Sequence, residues 1–103
     1  MKIAIASEKN SLESNIDSRF GRCPFFAFYD SKTDSLEFLP NPAKEVAEGA
    51  GPMAVQFIAS KGVKKIVAGE FGIKIKSLLD TLNIEMLIKT NQKVSDIVKQ
   101  FKI

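Results

Sequence analysis

The sequence predicts an α/β fold with three layers, α/β/α, around a mixed five-stranded sheet that has an antiparallel N-terminal hairpin and three helices. Three observations predict it. An uninterrupted apolar run, Ile3–Ala6, indicates a buried central strand. Two strand-like segments flank a cluster of turn residues, and helical and strand-like patterns alternate after them. The chain has 103 residues, so we expect a single domain over residues 1–103.

The first half of the chain should supply three strands. The first is Lys2–Ala6, and the polar segment 7–24 that follows it is a long loop of the kind that is usually functional or mobile. Phe25–Asp30 and Ser35–Leu39 then form the hairpin, because the residues between them favour a turn.

The second half should alternate helices with strands. A helix is expected over Pro52–Lys61, with proline in its first turn, and strands are expected over Lys64–Ala68 and Ile84–Ile88. Right-handed crossovers would place the first strand of the chain at the centre of the sheet. Two more helices are indicated by apolar residues spaced three and four apart, namely Ile75, Leu78, Leu79 and Leu82, then Val94, Ile97, Val98 and Phe101, with Asn91 as the N-cap of the last helix.

Composition excludes several classes of protein. The chain has no histidine and one cysteine, so it cannot hold a Ser-His-Asp triad, a histidine-based zinc site or an internal disulfide. No apolar run approaches the ~20 residues of a membrane span, and the N-terminal run is too short for a signal peptide, so we expect a cytoplasmic protein. Residues 51–103 carry nine lysines against four acidic residues. This pattern indicates a solvated surface more than nucleic-acid binding, because no aromatic residues are interleaved with the lysines.

Ligands of such sheets bind beyond the carboxyl ends of the parallel strands. Three segments should leave those ends and meet at one rim: the loop after the first strand, the turn before the first helix, and Gly69–Gly72. In the last of these, Glu70 is expected to cap the N-terminus of the helix that follows.

The first segment holds both arginines and the only cysteine of the chain. Arg19 and Arg22 suggest recognition of an anion, because a guanidinium offers a planar fork of donors. Gly21 between them lets the backbone turn tightly or approach a ligand. The two cations should lower the thiol pKa of Cys23, which would make it a better nucleophile or soft-metal ligand. In the alternative interpretation, the arginines anchor the loop through Asp17, and the cysteine is a small buried residue.

The second segment is a glycine-rich helix entry formed by Gly49, Ala50 and Gly51. Such an entry exposes N–H groups at the positive end of a helix dipole, where they could hold an oxyanion. A tight turn that needs positive φ would explain the glycines equally well.

Taken together, these segments resemble the dinitrogenase iron–molybdenum cofactor-binding family over nearly the whole chain, from Met1 to about Phe101. The resemblance is carried mainly by an Arg-Phe-Gly-Arg-x-Pro segment and by glycine turns in the same order, which here are Asp17–Phe26 (DSRFGRCPFF), Asn41-Pro42, Gly49-Ala50-Gly51, Gly62-Val63 and Gly69-Glu70-Phe71-Gly72.

The resemblance implies a ribonuclease-H-like fold and a non-enzymatic role: holding or passing on an anionic iron–sulfur or iron–molybdenum-type cluster during cofactor assembly. Arg19, Arg22, the N–H groups of Gly49–Gly51 and the Cys23 thiolate would hold it. Some members use a histidine that this chain lacks, so binding would rest on one thiolate plus electrostatics, or on a homodimer sharing two Cys23 side chains.

The expected partners are the cluster and cluster-assembly proteins, without nucleic acid or membrane, and the expected state is a monomer or weak homodimer. Three alternatives stay open. The first is a small regulatory module for an anionic metabolite, and the second is nucleic-acid binding through the lysine-rich half. The third is an enzyme, for which no nucleophile–base pair is visible.

Overall fold

A computed structural model describes residues 1–102 of the chain, and its elements follow the predicted order. Three strands come first, and three helices then alternate with two strands. The elements are β1 (Lys2–Ser7), β2 (Phe25–Asp30), β3 (Ser35–Pro40), α1 (Ala50–Ala59), β4 (Lys65–Ala68), α2 (Ile73–Thr81), β5 (Glu85–Ile88) and α3 (Val94–Phe101).

The five strands form one mixed sheet in the order β3-β2-β1-β4-β5. β2 is antiparallel to both of its neighbours, whereas β1, β4 and β5 are parallel. Ser7 at the end of β1 pairs with Phe25 at the start of β2, which pairs in turn with Pro40 at the end of β3. The carboxyl ends of every strand except β2 therefore lie at one edge of the sheet. The central position of β1 and the hairpin β2–β3 confirm the predicted α/β/α fold.

The two faces of the sheet are covered by different helices because successive strand side chains point to opposite sides. One face packs against α1 and α2, and the other face packs against α3. The first core includes Ala4, Ala6, Phe26, Phe28 and Ile66 with Val55, Ile58 and Leu79. The second includes Ile3, Ile5, Ala27, Tyr29 and Val67 with Val94 and Ile97.

The first helix begins two residues earlier than predicted. Gly49 is its N-cap and has a φ of 74°, a left-handed conformation that favours glycine. Helical geometry can therefore begin at Ala50, and Pro52 still falls in the first turn, where its missing N–H is tolerated.

The N-cap of the last helix lies two residues later than predicted. This N-cap is Lys93, whose backbone N–H donates to the Asp96 carboxylate at 2.9 Å. The prediction that Asn91 caps α3 is wrong, because Asn91 takes a φ of 57° in the preceding turn.

Leu82, which was predicted to belong to the apolar face of α2, lies just past the end of that helix and is partly exposed. Within residues 1–102, none of the helices has the length and hydropathy needed to cross a membrane.

Candidate anion-binding site

The three segments predicted to meet at one rim do so, and they line an open cavity of about 600 Å³, which we call the rim cavity. Its volume falls within the range of about 300–1,000 Å³ that is typical of small-molecule sites. The eleven residues that line it come from the loop after β1, the start of α1, and the turn between β4 and α2: Arg19, Phe20, Gly21, Arg22, Ala50, Gly51, Glu70, Phe71, Gly72, Ile73 and Ile75.

Two helix N-termini open onto the rim cavity. Ala50 and Gly51 begin α1, and Gly72 and Ile73 stand at the start of α2. Neither helix has a side-chain cap, and neither has an acidic residue in its first turn. The first N–H groups of a helix have no partner within it and carry the positive end of its dipole. Both helices therefore present donors suited to an anion.

Close backbone contacts hold these segments together. A Cβ on Gly21 would lie 3.1 Å from the Gly51 nitrogen, and a Cβ on Gly51 would lie 2.5 Å from Cδ1 of Ile75. Gly21 thus lets two backbone segments approach closely, whereas the contact at Gly51 is with the end of the Ile75 side chain, which can move. Approach of Gly21 to a ligand stays a prediction. Gly49 is not among the lining residues, and its positive φ fits the alternative interpretation of a tight turn.

Arg19 is anchored by Asp17 and also lines the rim cavity. Asp17 accepts hydrogen bonds from the backbone N–H of Arg19 at 2.8 Å, from its Nε at 3.2 Å and from its Nη2 at 3.1 Å. The aspartate side chain is 4% exposed and the arginine side chain 57%. This hydrogen bonding and the negative charge of Asp17 raise the pKa of Arg19. The guanidinium is thus both an anchor for the loop and a fixed, exposed cation at the cavity.

Arg22 is attached to the segment that precedes α1. Its Nη1 donates to the carbonyl oxygens of Lys44 and Val46 at 3.2 and 2.5 Å. The buried Asn41 side chain donates to the carbonyl of Gly21 at 3.0 Å. These bonds hold the second arginine half-buried at the cavity wall.

Cys23 lies in the core and is not among the residues that line the rim cavity. Its thiol donates to the carbonyl oxygen of Phe20 at 3.4 Å, and it has no exposed surface. Burial raises the pKa of Cys23 to about 12, and the negative charge of Asp17 contributes. The expected lowering of this pKa is therefore wrong. Its role as a metal ligand stays a prediction, and within residues 1–102 no three His, Cys, Asp or Glu side chains are grouped to hold a metal ion.

Glu70 is exposed and lines the rim cavity. The prediction that it caps α2 is wrong, because the N-cap is Gly72 and no side chain caps the helix. Its backbone instead pairs with that of Arg19 in a parallel bridge. This bridge joins the loop after β1 to the turn after β4.

Apart from Ala50, the apolar lining residues were not among the predicted site residues. The Phe20 ring packs 5.3 Å from that of Phe71 and is buried, whereas Ile73 is 94% exposed. One sequence signal could have identified Ile73. The apolar residues predicted to face the core from α2 begin at Ile75 and are spaced three and four apart, and Ile73 does not fit this spacing.

Comparisons with known proteins agree with the fold. The apo form of the orange protein from Desulfovibrio gigas superimposes with a TM-score of 0.90 at 28% identity, covering 97% of this chain and 85% of that one. TM1290 from Thermotoga, described as a NifB-like member of the DUF35 family, gives 0.83 at 28% identity with the same coverages. The crystal structure of PH0822 gives 0.83 at 24% identity, covering 98% and 89%, and shows the shared fold.

No curated protein matches the chain. A family model does: the one described as dinitrogenase iron–molybdenum cofactor matches residues 1–102. This match spans every strand and helix and all three segments of the rim cavity. The chain therefore belongs to the dinitrogenase iron–molybdenum cofactor family.

Proposed function

We propose that this protein is a non-enzymatic carrier that binds an anionic metal–sulfur cluster, of the iron–sulfur or iron–molybdenum type, in the rim cavity. The observation that carries the proposal is the convergence of two uncapped helix N-termini with both arginines of the chain. The family to which the chain belongs is described by an iron–molybdenum cofactor, which supports a cluster as the cargo.

The donor chemistry of the rim cavity favours binding through charge and hydrogen bonds. Backbone N–H groups and guanidinium groups donate to sulfides, and hydrogen bonds to cluster sulfur are a recognised means of stabilising such clusters. The burial and raised pKa of Cys23 leave its thiol protonated at neutral pH. The half-buried Phe71 and the exposed Ile73 supply apolar contact around the cargo.

The exposed lining also suits a carrier that must load and unload. Arg19, Glu70, Gly72 and Ile73 are all exposed. A cluster bound there would stay accessible to a delivering or receiving protein. We propose that such cluster-assembly proteins are the partners and that the carrier acts in the cytoplasm as a monomer or weak homodimer.

The test is an anaerobic titration of the purified protein with iron–sulfur and iron–molybdenum–sulfur clusters, followed by desalting and metal analysis. Arg22→Gln should reduce affinity by about tenfold, because one charge-assisted contact is lost. Lys32→Gln is the matched control, since Lys32 is an exposed cation in the β2–β3 turn at the opposite end of the sheet. Cys23→Ala should retain metal like the unmodified protein.

Two outcomes would refute the proposal. One is the absence of retained metal for the unmodified protein under all loading conditions. The other is an equal loss of metal for Arg22→Gln and Lys32→Gln, which would mean that binding depends on net charge rather than on the rim cavity. If Cys23→Ala is the only variant that loses metal, the Cys23 thiolate is a ligand of the cluster.

A second function is supported by the same donors. Guanidinium and helix N-terminal N–H groups also bind phosphates and carboxylates, so a small regulatory module for an anionic metabolite is the alternative. It predicts an increase in melting temperature with inorganic phosphate or a dicarboxylate in air. Such an increase, combined with no cluster binding under anaerobic conditions, would favour the alternative.

A further inference from the structure

Glu70 is the only carboxylate among the residues that line the rim cavity. It stands among groups that attract anions: the two arginines and the N-termini of α1 and α2. A carboxylate in that position opposes the binding of a simple anion. Its presence therefore suggests that the ligand has a part that can accept a carboxylate.

The backbone holds Glu70 firmly at the cavity edge. The preceding Gly69 donates its N–H to the carbonyl of Asp17 at 3.1 Å, and a Cβ on Gly69 would lie 2.6 Å from Cα of Ser18. Glu70 itself is paired with Arg19 by the parallel bridge. The backbone position of Glu70 at the cavity edge is consequently defined by its bridge to the backbone of Arg19.

Within residues 1–102 the Glu70 side chain forms no salt bridge. Its neighbour Arg19 pairs with the buried Asp17, and α2 begins at a glycine N-cap without a side-chain cap. Neither of the two usual structural roles of a surface glutamate, pairing with a cation or capping a helix, accounts for it. The carboxylate oxygens are available to a ligand.

We propose that Glu70 is a metal ligand that selects the cargo: it binds an exposed metal centre of the cluster while the arginines and N–H groups bind its sulfides. This inference rests on the proposed function and specifies its substrate class, namely a sulfur-bearing anion with an exchangeable position on one metal. A carboxylate oxygen is a suitable donor to such a centre. It donates a lone pair to the metal, the metal's exchangeable ligand leaves with its own electron pair, and no metal changes oxidation state.

The test uses two anions of equal charge. Tetrathiomolybdate is a dianion whose only metal is fully occupied by sulfide. Its adduct with ferrous chloride is also a dianion but presents an iron with exchangeable chloride ligands. On binding, a carboxylate oxygen of Glu70 would replace one chloride on iron, so the Fe–O bond forms, the Fe–Cl bond breaks and chloride is released.

Affinities for both anions would be measured anaerobically for the unmodified protein, for Glu70→Gln and for Glu48→Gln. Glu48 is the matched control, because it is an exposed carboxylate just before α1 and is not among the cavity-lining residues. The unmodified protein should prefer the iron adduct. Glu70→Gln should bind tetrathiomolybdate about fivefold more tightly, because a repelling charge is gone, and should bind the adduct at least fivefold more weakly. Glu48→Gln should keep the preference.

Iron X-ray absorption provides a readout independent of affinity. Both proteins would be measured in the same concentrated chloride buffer, which suppresses replacement of chloride by water. The bound adduct should then show an oxygen neighbour in place of one chloride with the unmodified protein and should keep both chlorides with Glu70→Gln. Tighter binding of both anions by Glu70→Gln, with unchanged iron neighbours, would overturn the ligand assignment and leave the carrier proposal standing. Failure of the unmodified protein to bind either anion would overturn both.

Discussion

Replacing Gly69 by alanine is expected to displace the edge of the rim cavity and to lower the stability of the fold. The new Cβ would lie 2.6 Å from Cα of Ser18 and 3.3 Å from its carbonyl oxygen. The obstructing atoms belong to the backbone, so a change of rotamer cannot relieve the contact. The loop after β1 must instead move away from the turn after β4.

The expected destabilisation follows from the size of that movement. The contact has to open from 2.6 Å toward the 3.4 Å at which ordinary van der Waals contact begins. Overpacking of this kind costs about 1–3 kcal/mol. The hydrogen bond from the Gly69 N–H to the Asp17 carbonyl, now 3.1 Å, would stretch and lose about 1 kcal/mol. The smaller conformational freedom of alanine in the unfolded chain offsets about 0.4–1 kcal/mol, so we expect a net loss of about 1–3.5 kcal/mol.

The free energy of unfolding would be measured by urea denaturation followed by circular dichroism, and anion affinity would be measured by anaerobic titration. Gly62→Ala is the control, because Gly62 has a φ of 74° and open space around the position of its Cβ. It should lose about 1 kcal/mol through backbone strain alone. Since Gly62 follows α1 at the end of the molecule away from the rim cavity, this variant should bind anions normally.

If Gly69→Ala is as stable as the unmodified protein, the close contact to Ser18 carries no energy and the expected destabilisation is wrong. If Gly69→Ala and Gly62→Ala weaken anion binding equally, the effect on binding follows stability and not the position of Arg19 and Glu70.

Three further predictions follow from buried side chains. Asp17→Asn should lower the free energy of unfolding by about 1–2 kcal/mol. This is less than for a fully buried ion pair, because Arg19 is largely solvated. Urea denaturation measures the change, and an unchanged free energy of unfolding would mean that the Asp17–Arg19 pair does not stabilise the loop. Cys23→Ala should be less stable than the unmodified protein at pH 7. The difference in free energy of unfolding between the two proteins should narrow by about 1 kcal/mol per pH unit above pH 9. The reason is that the Cys23 thiol ionises there in the unfolded chain, whereas in the folded protein it keeps its proton to about pH 12. If denaturation curves give the same difference from pH 7 to 11, the raised pKa of Cys23 is contradicted. Ile58→Ala, at a fully buried position of α1, should cost about 2–5 kcal/mol by the same assay with anion affinity retained, and a loss below 1 kcal/mol would be inconsistent with its packing.

The sheet could be predicted from sequence because its strands leave direct signals. Ile3–Ala6 is covered on both faces and therefore reads as a continuous apolar run. Four strands that point the same way place the loops after β1 and β4 at one edge, so the meeting of the three segments followed from topology alone. The helix starts were harder to predict, because they depend on single backbone conformations such as the positive φ of Gly49.

The burial of Cys23 could not be predicted from its neighbours in sequence. Arg22 lies in a turn and reaches the cavity wall, whereas the Cys23 side chain that follows it enters the core. Burial there raises the pKa of the thiol, and this effect outweighs the nearby cations that were expected to lower it. Glu70 was misassigned for a related reason: its backbone pairs with Arg19, which leaves Gly72 to begin the helix.

The loop after β1 is joined to the rest of the molecule by backbone hydrogen bonds. The backbone N–H of Ile16 donates to the carbonyl of Gln92, and that of Asp17 donates to the carbonyl of Ala6, each at 2.9 Å. A cargo of the proposed carrier would therefore meet an ordered surface, and little conformational entropy would be lost when it binds. Release of that cargo should not depend on opening of this loop. A receiving protein would then compete for the cluster directly, so the rate of transfer should rise with the concentration of the acceptor instead of levelling off at an opening rate of the carrier.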